Sequence, residues 1–156
     1  MREILFRGKY VETGAWYEGF YIHLHKTTNC PIGDPNRFPD NDIHQIVFER
    51  MTDWELPNQH LRVDVDPETV GQYTGLTDKN GKKIFEGDII EYGGVMWPVE
   101  FHNASFCAMD GSDIQFFLEE QYIWDHKKEE YIAPDYWNVI GNIHDNPELL
   151  EVYDGN

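Results

Sequence analysis

The stretch TGLTDKNGKKIFEGDIIEY, residues 74–92, sets charged and apolar blocks around Gly75, Gly81 and Gly87. A phosphate-binding loop needs glycines that release a run of N–H groups at a helix start, usually followed by a lysine and a hydroxyl residue. These glycines are widely spaced and lead into strand-like segments, so that reading fails. A basic patch fails as well, because Lys79, Lys82 and Lys83 are interleaved with Asp78, Glu86 and Asp88. What remains is a chain that turns twice. Asn80-Gly81 is a hairpin signal, since both residues tolerate positive φ. A two-residue turn there sets Asp78 against Lys83, Thr77 against Ile84 and Leu76 against Phe85. A bulged turn with left-handed Gly81 shifts that register by one. Glu86-Gly87-Asp88 then turns the chain again before a strand over Ile89–Tyr92.

Working outward, period-two alternation recurs, as expected of strands with one buried face. In WYEGFYIHL, Trp16, Phe20, Ile22 and Leu24 fall on one side, and Tyr17, Tyr21 and His23 on the other. Val95, Trp97, Val99 and Phe101 alternate with Met96, Pro98, Glu100 and His102; Pro98 cannot donate to a ladder and marks an edge or a bulge. Ile114, Phe116 and Leu118 form a further set, and Trp137, Val139, Gly141 and Ile143 another. Shorter candidates are Ile4–Arg7, Gln45–Phe48 and Leu61–Val65. DPET (66–69) offers Asp66 as an N-cap and Pro67 at the first helical position, enough for one turn. NPELLEV (146–152) repeats the arrangement as a short C-terminal helix. No long segment keeps a helical stripe, so the chain reads as mainly β. A Pro-rich loop over 27–42 interrupts the N-terminal strands, and DWELPNQH (53–60) is a shorter loop. The division falls near 66–70. It separates an N-terminal β region (1–69) from a C-terminal region (70–152) and a tail (153–156), or else is a turn within one compact body.

The chain has 156 residues and a net charge of -17, from 12 Lys+Arg against 29 Asp+Glu. Residues 1–69 carry 7 basic and 12 acidic side chains, and residues 70–156 carry 5 and 17. Such a surface repels nucleic-acid phosphates and anionic membranes, so neither is an expected partner. No apolar run is long enough to span a bilayer, and charges interrupt MREILFRGKY where a signal peptide would need an apolar segment. Cys30 and Cys107 are too few for a disulfide framework. These features point to a cytoplasmic, non-membrane protein.

Three segments together resemble the YopX-like family of phage- and prophage-encoded proteins. They are REILFRGKYVETGAWYEGFYI (2–22), VDPETVGQYTGLTDKNGKKIFEGDIIEY (65–92) and NVIGNIHDNPELLE (138–151). The resemblance implies a compact, β-barrel-like fold whose C-terminal part is similar to an SH3-like barrel. It implies no activity, because family members are proteins of unknown function, and it brings no catalytic motif or site residue. Residues 23–64 and 93–137 match nothing in the family pattern and are where a specialised role of this member would lie.

Four groups of residues invite chemistry. His23 and His25 share one face of a strand and could approach one ion, with Cys30 nearby and His44 and His60 as conjectural partners. Closed zinc sites normally show clearer paired spacing, and histidines on a half-exposed strand are more commonly polar-face residues. Asp125-His126-Lys127 has the acid-x-lysine pattern of some metal-dependent nucleases, but a chain this acidic lacks a surface for a polyanion, so a solvated turn is preferred. Ser105, Cys107 and His102 lie close in sequence. On an unbroken strand His102 and Cys107 would face opposite ways, and Cys107 reads as a core residue. The fourth group is aromatic: Trp16, Tyr17, Phe20, Tyr21, Trp97, Phe116, Phe117, Tyr122, Trp124, Tyr136 and Trp137 exceed what one small β core needs. A second copy of the chain, or a two-layer core, would cover the surplus.

The expectation is therefore a non-enzymatic accessory protein that acts through protein–protein contacts and self-associates. No catalytic, cofactor-binding or metal-ligating residues are assigned, and no cofactor is expected. Two alternatives stand beside it: an acidic decoy imitating DNA toward a host defence protein, and a metal-dependent enzyme using the His23/His25 face.

Overall fold

The turn at Asn80-Gly81 takes the bulged form. Strand β5 (Gly71–Thr77) pairs antiparallel with β6 (Lys83–Phe85), setting Thr77 opposite Lys83 and Tyr73 opposite Phe85. Asp78 N–H donates to the Lys82 carbonyl at 2.8 Å, and Gly81, at φ +78°, donates its N–H to the Asp78 carbonyl at 2.9 Å. This three-residue loop needs one left-handed residue, which glycine supplies without a Cβ clash. The Asp78 carboxylate locks the loop. Its Oδ1 accepts from the N–H groups of Asn80 (2.8 Å) and Lys82 (2.9 Å), and its Oδ2 from that of Val139 (3.2 Å). A bulge lies between Tyr73 and Thr77, where the Thr74 hydroxyl donates to the Ile84 carbonyl at 2.9 Å.

In the computed structural model the described residues are 3–26, 42–92, 95–108, 112–113, 123–125, 130–132 and 138–151, with backbone alone for 92, 112–113, 123–125 and 130–132. They fall into two units: Ile4–Val70, and Glu3 with the described residues from Gly71 onward. The Ile114/Phe116/Leu118 set and the Pro-rich loop, apart from Asp42, lie outside the described residues.

In the second of these units, β7 (Asp88–Tyr92) is flanked by β8 (Val95–Pro98) and by β14 (Asn138–Asn142). Ile89 and Ile90 point to opposite faces of β7 and both are fully buried, so this central strand is covered on both sides. Ile84, Ile90, Val99, Phe106 and Ala108 form the buried cluster, with Leu76, Trp97 and Val139 packed against it. The second turn of the opening stretch is closed by Asp88, a buried carboxylate whose Oδ2 accepts from Phe85 N–H at 2.7 Å.

The run expected over Val95–His102 is two strands. It breaks at Val99, whose N–H donates to the Asp88 carbonyl and whose carbonyl accepts from Gly87 N–H, both at 2.8 Å. Pro98 ends β8 on the sheet edge, where its missing donor costs nothing. Beyond the break, β9 (Glu100–His102), β10 (Ser105–Ala108) and β11 (Ser112–Asp113) form a separate sheet. Strands β12 (Ile123–Asp125) and β13 (Glu130–Ile132) pair with each other, and the helix α1 spans Glu148–Glu151. The described sheets are antiparallel and do not close into the expected barrel. The chain changes sheets at Val99 instead of continuing one ladder.

The β9–β10 turn uses Asn103 and Ala104 at φ 50° and 65°. A Cβ in the left-handed region costs about 1–2 kcal/mol, part of which glycine's greater unfolded-state entropy offsets. Ala104→Gly is expected to raise the unfolding free energy by about 0.5–1 kcal/mol, measured by urea denaturation.

Residues 4–70 form an antiparallel meander: β1 (Phe6–Lys9), β2 (Trp16–His25), β3 (Asp42–Arg50) and β4 (Gln59–Asp64). A single bridge, Tyr10 to Val65, joins the ends of β1 and β4. The DPET segment makes the expected turn, a 3-10 helix over Pro67–Thr69, with Asp66 Oδ1 accepting from Glu68 N–H at 3.1 Å. Ile46 and Val65 are the buried hydrophobic side chains of the sheet face that carries Tyr17 and Tyr21. Tyr17 packs on Phe48 and Tyr21 on Phe6, with centroids 5.0 and 5.5 Å apart. The other face is more open. Trp16 lies beneath the Arg7 guanidinium at 4.7 Å, while Phe20 and Leu24 are 59% and 54% exposed. Burial in this sheet therefore follows ring packing around Ile46, and the aliphatic side of β2 stays open.

Candidate functional site

The β2–β3 ladder sets His23 opposite His44 and His25 opposite Asp42. Directly opposed residues share a face, and Tyr21 is two residues from His23 on the same strand, so all five side chains stand together. The His23 and His44 rings stack with centroids 4.4 Å apart and planes 17° from parallel. His23 Nε2 lies 3.6 Å from Asp42 Oδ2, and His25 Nδ1 hydrogen-bonds Asp42 Oδ1 at 2.7 Å. His44 Nδ1 hydrogen-bonds the Tyr21 hydroxyl.

Electrostatics follow from this packing. The hydrogen bond from His25 outweighs desolvation and holds the Asp42 carboxyl below its ordinary range, with the charges of His25 and His23 adding to the effect. Burial, helped by the Asp42 charge, raises the Tyr21 phenol, which is therefore protonated near neutral pH. The cluster is half open to solvent: His23, Asp42 and His25 are 46%, 51% and 63% exposed. Beside it lies a cavity of about 400 Å³, lined by Asp42 and His44 together with Val11, Lys26, Gln45 and Asp64.

Of the residues singled out from sequence, His23, His25 and His44 are brought together. His60 is not. It stands opposite Glu49, its Nδ1 3.7 Å from Glu49 Oε1, on the other face of the sheet. Cys30 lies outside the described residues. Asp42 and Tyr21 are the partners that sequence reasoning missed as site residues. Their cross-strand pairing depends on a register that a long connection leaves open, and the one available signal was the alternation of Tyr21, His23 and His25.

The Ser105/Cys107/His102 group needs correction. The β9–β10 hairpin sets Ser105 opposite His102 and Cys107 opposite Glu100, so the three share a face instead of opposing one another. Their contacts are not those of a nucleophile and its base. Cys107 is buried, its Sγ lies 3.2 Å from Ser105 Oγ, and it donates to the backbone carbonyls of His102 and Ser105 at 3.7 Å. Of Asp125-His126-Lys127, only the Asp125 backbone is described, in β12. Phe116, Phe117, Tyr122, Tyr136, Trp137 and most acidic residues between 109 and 135 lie outside the described residues. Among the described residues no helix is long and apolar enough to cross a membrane.

The family model described as YopX protein matches residues 5–151. No curated protein matches the chain. Among solved structures, the crystal structure of protein EF1440 from Enterococcus faecalis is similar at 22% identity, with a TM-score of 0.50. The match covers 96% of this chain and 99% of that chain. At that identity the likeness is one of fold.

Proposed function

The chain belongs to the YopX protein family, and on that premise we propose a phage- or prophage-derived accessory protein that acts through protein–protein contacts. It is cytoplasmic in a bacterial host, carries out no catalysis and assembles with copies of itself. The C-terminal region, 70–152, keeps an SH3-like strand arrangement in this reading.

One observation carries the proposal. The connection between β3 and β4 holds Met51, Trp54 and Leu56 at 82%, 98% and 59% exposure. Methionine and tryptophan at this exposure leave apolar area in water, at roughly 25 cal/mol per Å². Trp and Met are also types enriched in protein interfaces. Glu55 in the same connection has φ 67°, a left-handed conformation uncommon for a residue with a Cβ. Phe20 and Leu24 add a second apolar pair on β2.

Light scattering coupled to size exclusion tests the reading across a concentration series. The wild-type protein is expected as an oligomer, and the M51S/W54S/L56S variant as a monomer with unchanged circular dichroism. A wild-type protein that stays monomeric throughout refutes self-association. A variant that assembles like the wild type refutes this loop as the contact.

A further inference from the structure

We propose that His23, Asp42 and His44 form a binding site for a divalent transition-metal ion of the Zn²⁺ class, built across the β2–β3 ladder. The first observation is convergence. One ligand atom from each of the three residues lies within 4.8 Å of the others. Ligands about 2.0–2.1 Å from a tetrahedral Zn²⁺ sit about 3.3–3.4 Å apart. His23 Nε2 and Asp42 Oδ2, at 3.6 Å, are already close to that spacing. His23 and Asp42 are 46% and 51% exposed, so their side chains have room to rotate toward the half-buried His44.

The second observation is the shell behind the ligands. A metal-bound imidazole ordinarily donates its other N–H to an acceptor, and a metal-bound carboxylate is itself hydrogen-bonded. The partners for both are in place. In the tautomer with the proton on His44 Nδ1, that nitrogen donates to the Tyr21 hydroxyl oxygen and Nε2 is left for an ion. His25 holds Asp42 Oδ1 and leaves Oδ2 facing His23. His25, taken with His23 in the sequence as a ligand, is thus a positioning residue. The adjoining cavity lets water complete the coordination. A His₂Asp donor set with one open position suits Zn²⁺, Ni²⁺ or Co²⁺ and disfavours Mg²⁺ and Ca²⁺, which take oxygen donors.

The test uses full-length protein without a histidine tag, titrated with ZnCl₂ by calorimetry and with CoCl₂ by visible absorption. One equivalent is expected to bind, Co²⁺ producing d–d bands of low-symmetry coordination. The H23A/H44A double variant and Asp42→Ala are expected to lose binding, and His25→Ala to weaken it by about 10–100-fold. His60→Ala is expected to leave it unchanged. Circular dichroism of each variant checks that the substitutions leave the fold intact. Absence of binding in excess Zn²⁺ overturns the proposal, as does binding retained in the double variant or lost in His60→Ala. The proposal is independent of self-association, because the M51S/W54S/L56S variant is expected to bind the ion as the wild type does.

Discussion

Asp78→Ala is expected to lower the unfolding free energy by about 2–4 kcal/mol, because three charge-assisted hydrogen bonds disappear at once. The carboxylate is buried, at 7% exposure, and it accepts from the N–H groups of Asn80, Lys82 and Val139. The first two lie in an exposed turn and can be rehydrated, which limits the cost. Val139 N–H is part-buried in β14, and its loss is the larger share. The same residue joins a local turn to a strand 61 positions away in sequence, so losing it also releases the β5–β6 hairpin from β14. Asp78→Asn is expected to recover only part of the loss, since its amide nitrogen would confront a donor. Urea denaturation of the two variants beside the wild type measures both effects. A loss under about 0.5 kcal/mol for Asp78→Ala would show that these bonds are replaceable by water.

The pH dependence of Asp78 has a definite sign. Burial alone would raise its pKa, but the hydrogen bonds from Lys82, Val139 and Asn80 outweigh it, and the folded-state value lies below the ordinary 3.8. The unfolded state therefore binds more protons in the interval between the folded and unfolded values. The stabilisation is fully present above the unfolded pKa and disappears as pH falls through the folded one. Wild type and Asp78→Asn should accordingly differ most near neutral pH and converge in acid.

Much of the strand content is legible in sequence because alternation is a local property. β2 and β7 can be read from WYEGFYIHL and DIIEY, and the 3-10 turn from the Asp66-Pro67 pair. The turn at Asn80-Gly81 is legible to within one residue, since a two-residue loop and a bulged loop demand the same dipeptide. Non-local contacts decide the rest. Val99 looks like the middle of one strand, and only its hydrogen bonds to Gly87 and Asp88 reveal a change of sheet. The Asn103-Ala104 turn hides because alanine carries no left-handed signal. On β2 the alternation separates two faces without saying which is buried, and it is the contacts Tyr17–Phe48 and Tyr21–Phe6, on the face of the buried Ile46, that decide it. The His23/His25 pair is visible as a two-residue spacing, whereas Asp42 and His44 join it only through the β2–β3 register.

Gly19→Ala is expected to cost about 3 kcal/mol or more, at the upper end of overpacking substitutions. Gly19 lies in β2 opposite Phe6 of β1, and an added Cβ would sit 2.1 Å from the Val47 carbonyl oxygen and 2.9 Å from its carbon. Both obstacles are backbone, so no rotamer change can relieve them. Ile46 Cγ2, at 3.1 Å, closes a third direction and belongs to a side chain with no exposed surface. The β2 and β3 backbones must therefore separate next to the Phe20–Val47 pair, where their regular ladder begins. Gly81→Ala supplies the contrast. There an added Cβ meets nothing within 4 Å, and only the φ of +78° opposes it, a conformational cost of about 1–2 kcal/mol. The two variants also separate in hydrogen exchange. Gly19→Ala should deprotect amides along β2 and β3 while sparing β7, and Gly81→Ala should loosen only the β5–β6 turn. Gly19 is not in the left-handed region, so a cost there no larger than that of Gly81→Ala would show that the separation of β2 from β3 inferred at Gly19 is wrong.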